Sequence, residues 1–147
     1  MKKIFYLIPI FDSASTILNC LTSINSSKYH KEVIIINDNS NDNSLEIVNA
    51  VKDHLPFVIN IINNNENIGI SASLNLGIEL ALKKHADYLI RLDSDDFNEF
   101  HRTDYQIDFM EKNPNIIITS SSAFILKNNK IIFPFILRLQ SFFENRI

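Results

Sequence analysis

Tyr88-Leu89-Ile90-Arg91-Leu92-Asp93-Ser94-Asp95-Asp96 is the stretch that decides the fold of this chain. An apolar, β-prone run ends abruptly in three carboxylates spread over four positions. A continuous apolar run of this length predicts a buried parallel strand. Acids at its carboxyl end fall where open α/β sheets place their ligands. Asp93 and Asp95 share a face in a continuing strand, and at a strand-to-loop junction they can converge on one cation. Clustered carboxylate oxygens suit hard ions such as Mg²⁺ or Mn²⁺. The pattern therefore points to a metal and nucleotide-diphosphate site. Asp and Ser are also ordinary turn and helix-cap residues, and a helix is predicted from about Phe100. Alone, Asp-Ser-Asp-Asp is more often a cap or solvated loop than a ligand set. The surrounding chain has to decide.

The 147 residues suit a single domain with one good core. An apolar fraction of 46% and a charged fraction of 21% are those of an ordinary globular protein. A formal net charge of −3 without any Lys/Arg block argues against a nucleic-acid partner. A phosphate ligand must then be met by a metal or by backbone amides. Cys20 is the only cysteine, so no internal disulfide forms and a cytoplasmic location is expected. It lies inside a helical pattern, where a buried, inert thiol is expected. No apolar run reaches transmembrane length, and Ile4 to Ile10 behind Met1-Lys2-Lys3 reads as a strand rather than a signal peptide.

That first strand is stopped by Pro9-Ile10-Phe11-Asp12, because proline cannot donate to a ladder. Asp12 or Ser13 is placed to cap the next helix, whose stripe is Ile17, Leu21 and Ile24. Val33 to Ile36 predicts a second strand. The polar run Asn37 to Asp42 then turns into a helix carrying Leu45, Val48, Val51 and Leu55, ended by Pro56. A third strand spans Val58 to Ile62. After the polar loop Asn63 to Asn67 and Gly69, a helix repeats Leu74, Ile78, Ala81 and Leu82 around Gly77, a glycine that implies close packing. The strand Tyr88 to Leu92, a helix to Lys112 and a further strand from Ile116 to Ile118 follow. A hairpin is expected from Ala123–Leu126 and Ile131–Phe133, joined by Lys127 to Lys130. The order β-α-β-α-β-α-β-α-β gives a doubly wound, mostly parallel α/β sheet flanked by helices, ending in a hairpin or helix stub. The tail from Ile131 to Ile147 is apolar enough to need a cover: it packs on the sheet or is the stub of a missing segment.

Asp12, Asp38, Asp93 and Asp95 follow three different strands, so a parallel sheet brings them to one edge. A cap role is preferred for Asp12 and Asp42. Asp38 precedes the expected cap, and a ligand role there is about as well founded as a cap. A carboxylate at that position could accept an imide N–H such as that of uracil.

Pro9-Ile10-Phe11-Asp12, Ile36 to Asp42, Asn67-Ile68-Gly69-Ile70-Ser71-Ala72-Ser73-Leu74-Asn75-Leu76-Gly77-Ile78 and Leu92-Asp93-Ser94-Asp95-Asp96 together resemble the successive signatures of family 2 glycosyltransferases, which have the GT-A fold, Rossmann-like in its sheet. The similarity runs from residue 4 to the end of the chain. It implies a nucleotide-sugar donor, often a UDP-sugar, and transfer with inversion to a glycan or lipid-linked acceptor. By matched position, Pro9 and Phe11 would border the base and Asp38 would hydrogen-bond it. Asp93 would contact the ribose or the metal shell, and Asp95 would be the direct ligand of Mn²⁺ or Mg²⁺. Asp12, Gly69, Ser73 and Ser94 complete the nucleotide-sugar site that the resemblance implies. Asn37 stands where an acid is common, Asn39 where glycine is common, and Leu74 where arginine is common. The resemblance also implies that residues 1–147 form the nucleotide-sugar-binding portion. Most of the acceptor half, with the catalytic base, would be lacking. Peripheral contact with the inner face of a membrane, or a homo-oligomer through the apolar tail, is compatible with it. The competing class is a non-catalytic nucleotide-binding or protein-interaction module. A phosphoacceptor receiver domain is disfavoured, since it needs an acid pair after the first strand and a lysine after the fifth. No Gly-x-Gly-x-x-Gly follows the first strand, so a dinucleotide-binding domain is disfavoured as well.

Overall fold

A computed structural model of the protein describes residues 2–24 and 28–121, and the backbone of 123–127 and 130–135. Four strands, β1 (Lys3–Ile10), β2 (His30–Asn37), β3 (Val58–Asn63) and β4 (Tyr88–Arg91), form one parallel sheet in the order β3-β2-β1-β4. The helices are α1 (Ile17–Ser23), α2 (Ser44–Val51), α3 (Ile70–Lys83) and α4 (Arg102–Lys112), with a 3₁₀ turn at Lys52–His54. Leu55 is extended ahead of Pro56, as a residue before proline tends to be. The chain packs as two compact units, Met1–Asp104 and Tyr105–Ile147. The second unit holds a two-stranded antiparallel sheet, β5 (Ala123–Lys127) and β6 (Lys130–Phe135), so the expected hairpin pairing is present. Residues 128–129 of its connection and the tail 136–147 lie outside the described residues.

β1 and β2 are apolar at successive positions because both of their faces are covered. Phe5 and Leu7 of β1, Ile34 and Ile36 of β2 and Ala81 of α3 form one buried cluster, against which Leu74, Ile78 and Leu80 pack. Gly77 lies at the closest approach: a Cβ there would stand 2.9 Å from Ile36 Cδ1 and 3.3 Å from Leu7 Cδ2. The contact inferred from a mid-helix glycine is therefore real. Leu74 packs on this cluster, while Leu82, expected in the same stripe, is turned outward and is 61% exposed.

Pro9 does not end β1, which runs on to Ile10 with Pro9 opposite Ile36. In a parallel strand the backbone groups of alternate residues point to the same neighbour. Lys3 O and Leu7 O accept from Asp87 and Leu92 on the β4 side, whereas Ile10 O accepts from Asp38 on the β2 side. Pro9 thus faces β4 two residues beyond the last ladder bond, where no donor is needed.

Neither Asp12 nor Ser13 caps α1 through its side chain; the helix begins after Thr16, and the Ser13 carbonyl receives the amides of Thr16 and Ile17. α4 starts two residues later than expected, because the Glu99 carboxylate accepts the His101 amide and holds a turn there. No strand forms at Ile116–Ile118. Ile117 and Ile118 are 82% and 79% exposed. β-branched residues favour a strand only where a ladder and a packed face are supplied, and this run has neither.

Candidate functional site

A cleft of about 330 Å³ opens at the carboxyl edge of the sheet. Its floor is the end of β1, at Pro9, Ile10 and Phe11. Asp38, just past β2, closes one side together with Asn67, Gly69, Ile70 and Ser73 from the approach and first turn of α3. Asp93, Ser94 and Asp95, just past β4, close the other. The cleft lies at the β1/β4 junction, where the strand order reverses and open α/β sheets bind their ligands. A larger hollow of about 600 Å³ beside His30, Lys52, Asp53 and Phe57 sits by the start of β2, at the opposite edge.

Asp38 is only 4% exposed, and its charge is held by directed hydrogen bonds. Oδ1 accepts from Asn64 Nδ2 at 2.7 Å and from the Ile68 amide at 2.9 Å, and Oδ2 accepts from the Gly69 amide at 2.8 Å. Burial pushes its pKa up, but these bonds and the Ser73 hydroxyl outweigh burial and hold it below the ordinary value. Gly69 precedes the first turn of α3 with φ +84°, a conformation that an L side chain resists. Asn39, where glycine is common, has φ +61°, and asparagine tolerates that region better than most residues.

The acidic turn hangs on α1 and its approach. Ser13 Oγ lies 2.8 Å from Ser94 Oγ, the Cys20 thiol points at the Asp93 carbonyl at 3.5 Å, and Ser23 Oγ accepts the Asn98 amide at 2.8 Å. Burial pushes the Cys20 thiol up to about 12, and Asp96, Asp95 and Asp93 add to the shift. Asp93 is gripped by the Arg91 guanidinium through both oxygens, at 2.8 and 3.0 Å. Asp95 lines the cleft with no side-chain hydrogen bond or ion pair among the described residues. Burial pushes the Asp96 pKa up, and the neighbouring charges of Asp93 and Asp95 add to the shift. Phe11, 48% exposed, offers a flat apolar face beside these acids.

Of the residues singled out from sequence, Pro9, Phe11, Asp38, Gly69, Ser73, Asp93, Ser94 and Asp95 meet in this one cleft. Asp12 is not part of its lining. At φ +47° its Oδ1 accepts the Asn41 amide at 2.7 Å, so it staples the β1–α1 connection to the one after β2. Asp42 does a similar job, accepting the Ala14 amide at 2.8 Å as well as the Ser44 amide and hydroxyl. Ile10, Asn67 and Ile70 also line the cleft; all three fall inside the signature segments quoted above, though none is singled out there as a site residue. Asn64 lies in the polar loop Asn63 to Asn67, but nothing in the sequence sets it apart from its asparagine neighbours.

The family model for glycosyl transferase family 2 matches residues 6–146. The chain is 29% identical over 133 residues to the poly-beta-1,6-N-acetyl-D-glucosamine synthase of Staphylococcus aureus, matching 90% of this chain and 31% of that protein. It is 34% identical over 134 residues to an uncharacterized glycosyltransferase of Haemophilus influenzae, matching 89% of this chain and 52% of the relative. The chain thus spans about a third to a half of the length of these relatives. Among solved structures, S. aureus TarS 1–349 in complex with UDP-GlcNAc superposes with a TM-score of 0.67 at 21% identity, over 78% of this chain and 32% of that one. The mannosyltransferase PcManGT of Pyrobaculum calidifontis, in complex with GDP-Man and Mn²⁺, does so with a TM-score of 0.63 at 18% identity, over 73% and 32%. The fold is that of the GT-A glycosyltransferases, and with the family model matching almost its whole length the chain belongs to glycosyl transferase family 2.

Proposed function

We propose that the cleft binds a nucleotide-sugar donor, a UDP-sugar in the first instance. The chain would then serve transfer of that sugar, with inversion, to a glycan or lipid-linked acceptor. The supporting observation is the convergence of Phe11, Asp38, Gly69, Ser73 and Asp95 from four separate segments on one opening. The UDP-GlcNAc carried by TarS and the polymer named for the staphylococcal relative make UDP-GlcNAc the first donor to test. On this reading Phe11 and Pro9 border the base, Asp38 accepts its imide N–H, and the diphosphate lies toward the acidic turn.

Among the described residues no three His, Cys, Asp or Glu side chains gather as a metal site, so on this reading a divalent ion would take one or two carboxylates here and the rest of its ligands from the donor's diphosphate. Asp95 presents an exposed carboxylate at the cleft, and a cation there would offset the mutual repulsion of Asp93, Asp95 and Asp96. Asp95 would be the direct ligand. Asp93 would join it only by yielding an oxygen that Arg91 now holds. When bound, Mn²⁺ or Mg²⁺ supplies charge neutralisation for the departing nucleoside diphosphate. Every other step available to these residues is binding and orientation. Ser13 and α1 fix the acidic turn, Asp38 fixes the base end, and the β1 floor sets the distance between them. The setting proposed for this chemistry is the cytoplasm, with lipid-linked acceptors met at the inner membrane face. No helix among the described residues is long and apolar enough to cross a membrane.

The test is calorimetric titration with UDP, with and without Mn²⁺, followed by assay of UDP release from UDP-GlcNAc. Binding strengthened by Mn²⁺, with UDP release, is the expected result. Binding without release on adding candidate acceptors would favour a nucleotide-binding module. Absence of UDP binding with Mn²⁺ present overturns the reading.

A further inference from the structure

Asn64 is the first residue after β3, and its position is fixed by its backbone. Its amide donates to Asn37 O at 2.9 Å, one step beyond the β2–β3 ladder. The side chain then spans the gap between the end of β2 and the first turn of α3. The two hydrogens of Nδ2 go to different partners: Asp38 Oδ1 at 2.7 Å and Ser73 Oγ at 3.0 Å. Both partners line the cleft and both are buried, Ser73 completely. Asn64 itself does not line it. No other residue type of this size supplies two donors from one planar nitrogen, and its isostere aspartate supplies none when ionised.

We propose that Asn64 is a positioning residue for the base end of the cleft. Its amide sets the rotamer of Asp38 and ties that carboxylate to α3, so that the Ile68 and Gly69 amides stay docked on it. The inference deepens the donor-site reading and rests on it only for what the cleft binds. Asp38 is the titratable group that faces Asn64 from the β2 side, and Ser73, which does not titrate near neutrality, faces it from α3.

The test compares wild type with Asn64→Asp and Asn64→Ala, each first checked for a cooperative melt. In the ligand-free proteins, amide exchange at Ile68 and Gly69 is expected to quicken at least about tenfold in both variants, the scale of one lost charge-assisted bond. Uridine affinity should fall by a similar factor, while the ratio of UDP affinities with and without Mn²⁺ stays as in wild type. In Asn64→Asp alone, uridine binding should recover as the pH is lowered toward 5, because a proton shared between Asp38 and the introduced carboxyl group restores one donor. Unchanged exchange at Ile68 and Gly69 in both folded variants overturns the proposal. So does a loss in Asn64→Asp that is the same at every pH and equal to that of Asn64→Ala. Failure of wild type to bind uridine would sink the donor reading instead, and the exchange measurement would still decide the role of Asn64.

Discussion

Replacing Gly77 by alanine sets two known effects against each other. In the middle of the 14-residue helix α3, alanine should gain about 1 kcal/mol over glycine. The new Cβ would stand 2.9 Å from Ile36 Cδ1 and 3.3 Å from both Ile36 Cγ1 and Leu7 Cδ2. Comfortable carbon separations are about 3.5–4.0 Å, so one contact is short by more than half an ångström and two by a few tenths. Ile36 Cδ1 is the free end of a side chain, yet Ile36 is fully buried and Leu7 nearly so, so any relief has to come from repacking inside the core. Overpacking of this kind costs about 1–3 kcal/mol. The balance is a net destabilisation of about 1 kcal/mol, measured as a lowered urea midpoint at constant m-value. The double variant with Ile36→Val identifies the cause. That change removes Cδ1 and costs about 0.5–1.5 kcal/mol alone, so relief of the clash makes the pair less than additive. A Gly77→Ala protein stabilised by the full helix-propensity gain, or strict additivity with Ile36→Val, refutes the packing account.

Three further outcomes are expected. Asp95→Ala should abolish the Mn²⁺-dependent part of UDP affinity and leave the melt unchanged, since this exposed carboxylate supports nothing in the core; equal metal dependence in the variant would remove Asp95 from its role. Stability should fall on acidification. Asp38 and Asp42 are held below the ordinary value of 3.8, so what they contribute is complete above about pH 4 and is lost as pH drops through their folded values. Asp96, raised in the fold, works the other way over the same descent; a urea midpoint that stays flat or rises between about pH 5 and 3 would count against the bonds assigned to Asp38 and Asp42. Finally, Cys20, pushed from 9.0 to about 12, should expose about a thousandfold less thiolate than a free cysteine. Iodoacetamide should therefore label it only as the protein unfolds, and prompt labelling of the native chain would contradict its burial.

What could be seen in the sequence divides along a physical line. The four parallel strands and the three helices between them announce themselves through runs buried on both faces and stripes at helical spacing, which local patterning controls. Ile116–Ile118 carries the same β-branched signature and forms no strand, because pairing is a property of neighbours and not of the run. Asp38, Asp93 and Asp95 could be placed on one edge from topology alone, since each follows a parallel strand. Asp12 follows one too, but a left-handed backbone turns its carboxylate onto the Asn41 amide instead of into the cleft. Asn64 stands between Asn63 and Asn65, three chemically identical side chains. Which of them points inward depends on where the β2–β3 ladder lets go, and that register is settled only in three dimensions.

The cleft itself follows from unequal strand lengths. β4 has four residues and β1 has eight, and their ladder closes with Leu92 donating to Leu7 O. β1 continues for three residues, paired only to β2, which at about 3.3 Å per residue leaves a step about 10 Å deep beside it. A strand edge of that length would ordinarily present an unpaired amide to the opening. The residue whose amide would face the step is Pro9, which has none to present. A proline that reads in sequence as the end of a strand therefore lets β1 be a ladder partner on one side and the floor of a binding site on the other. Asp93 and Asp95 line the step because β4 stops short, and Asp38 faces them because β2 does not.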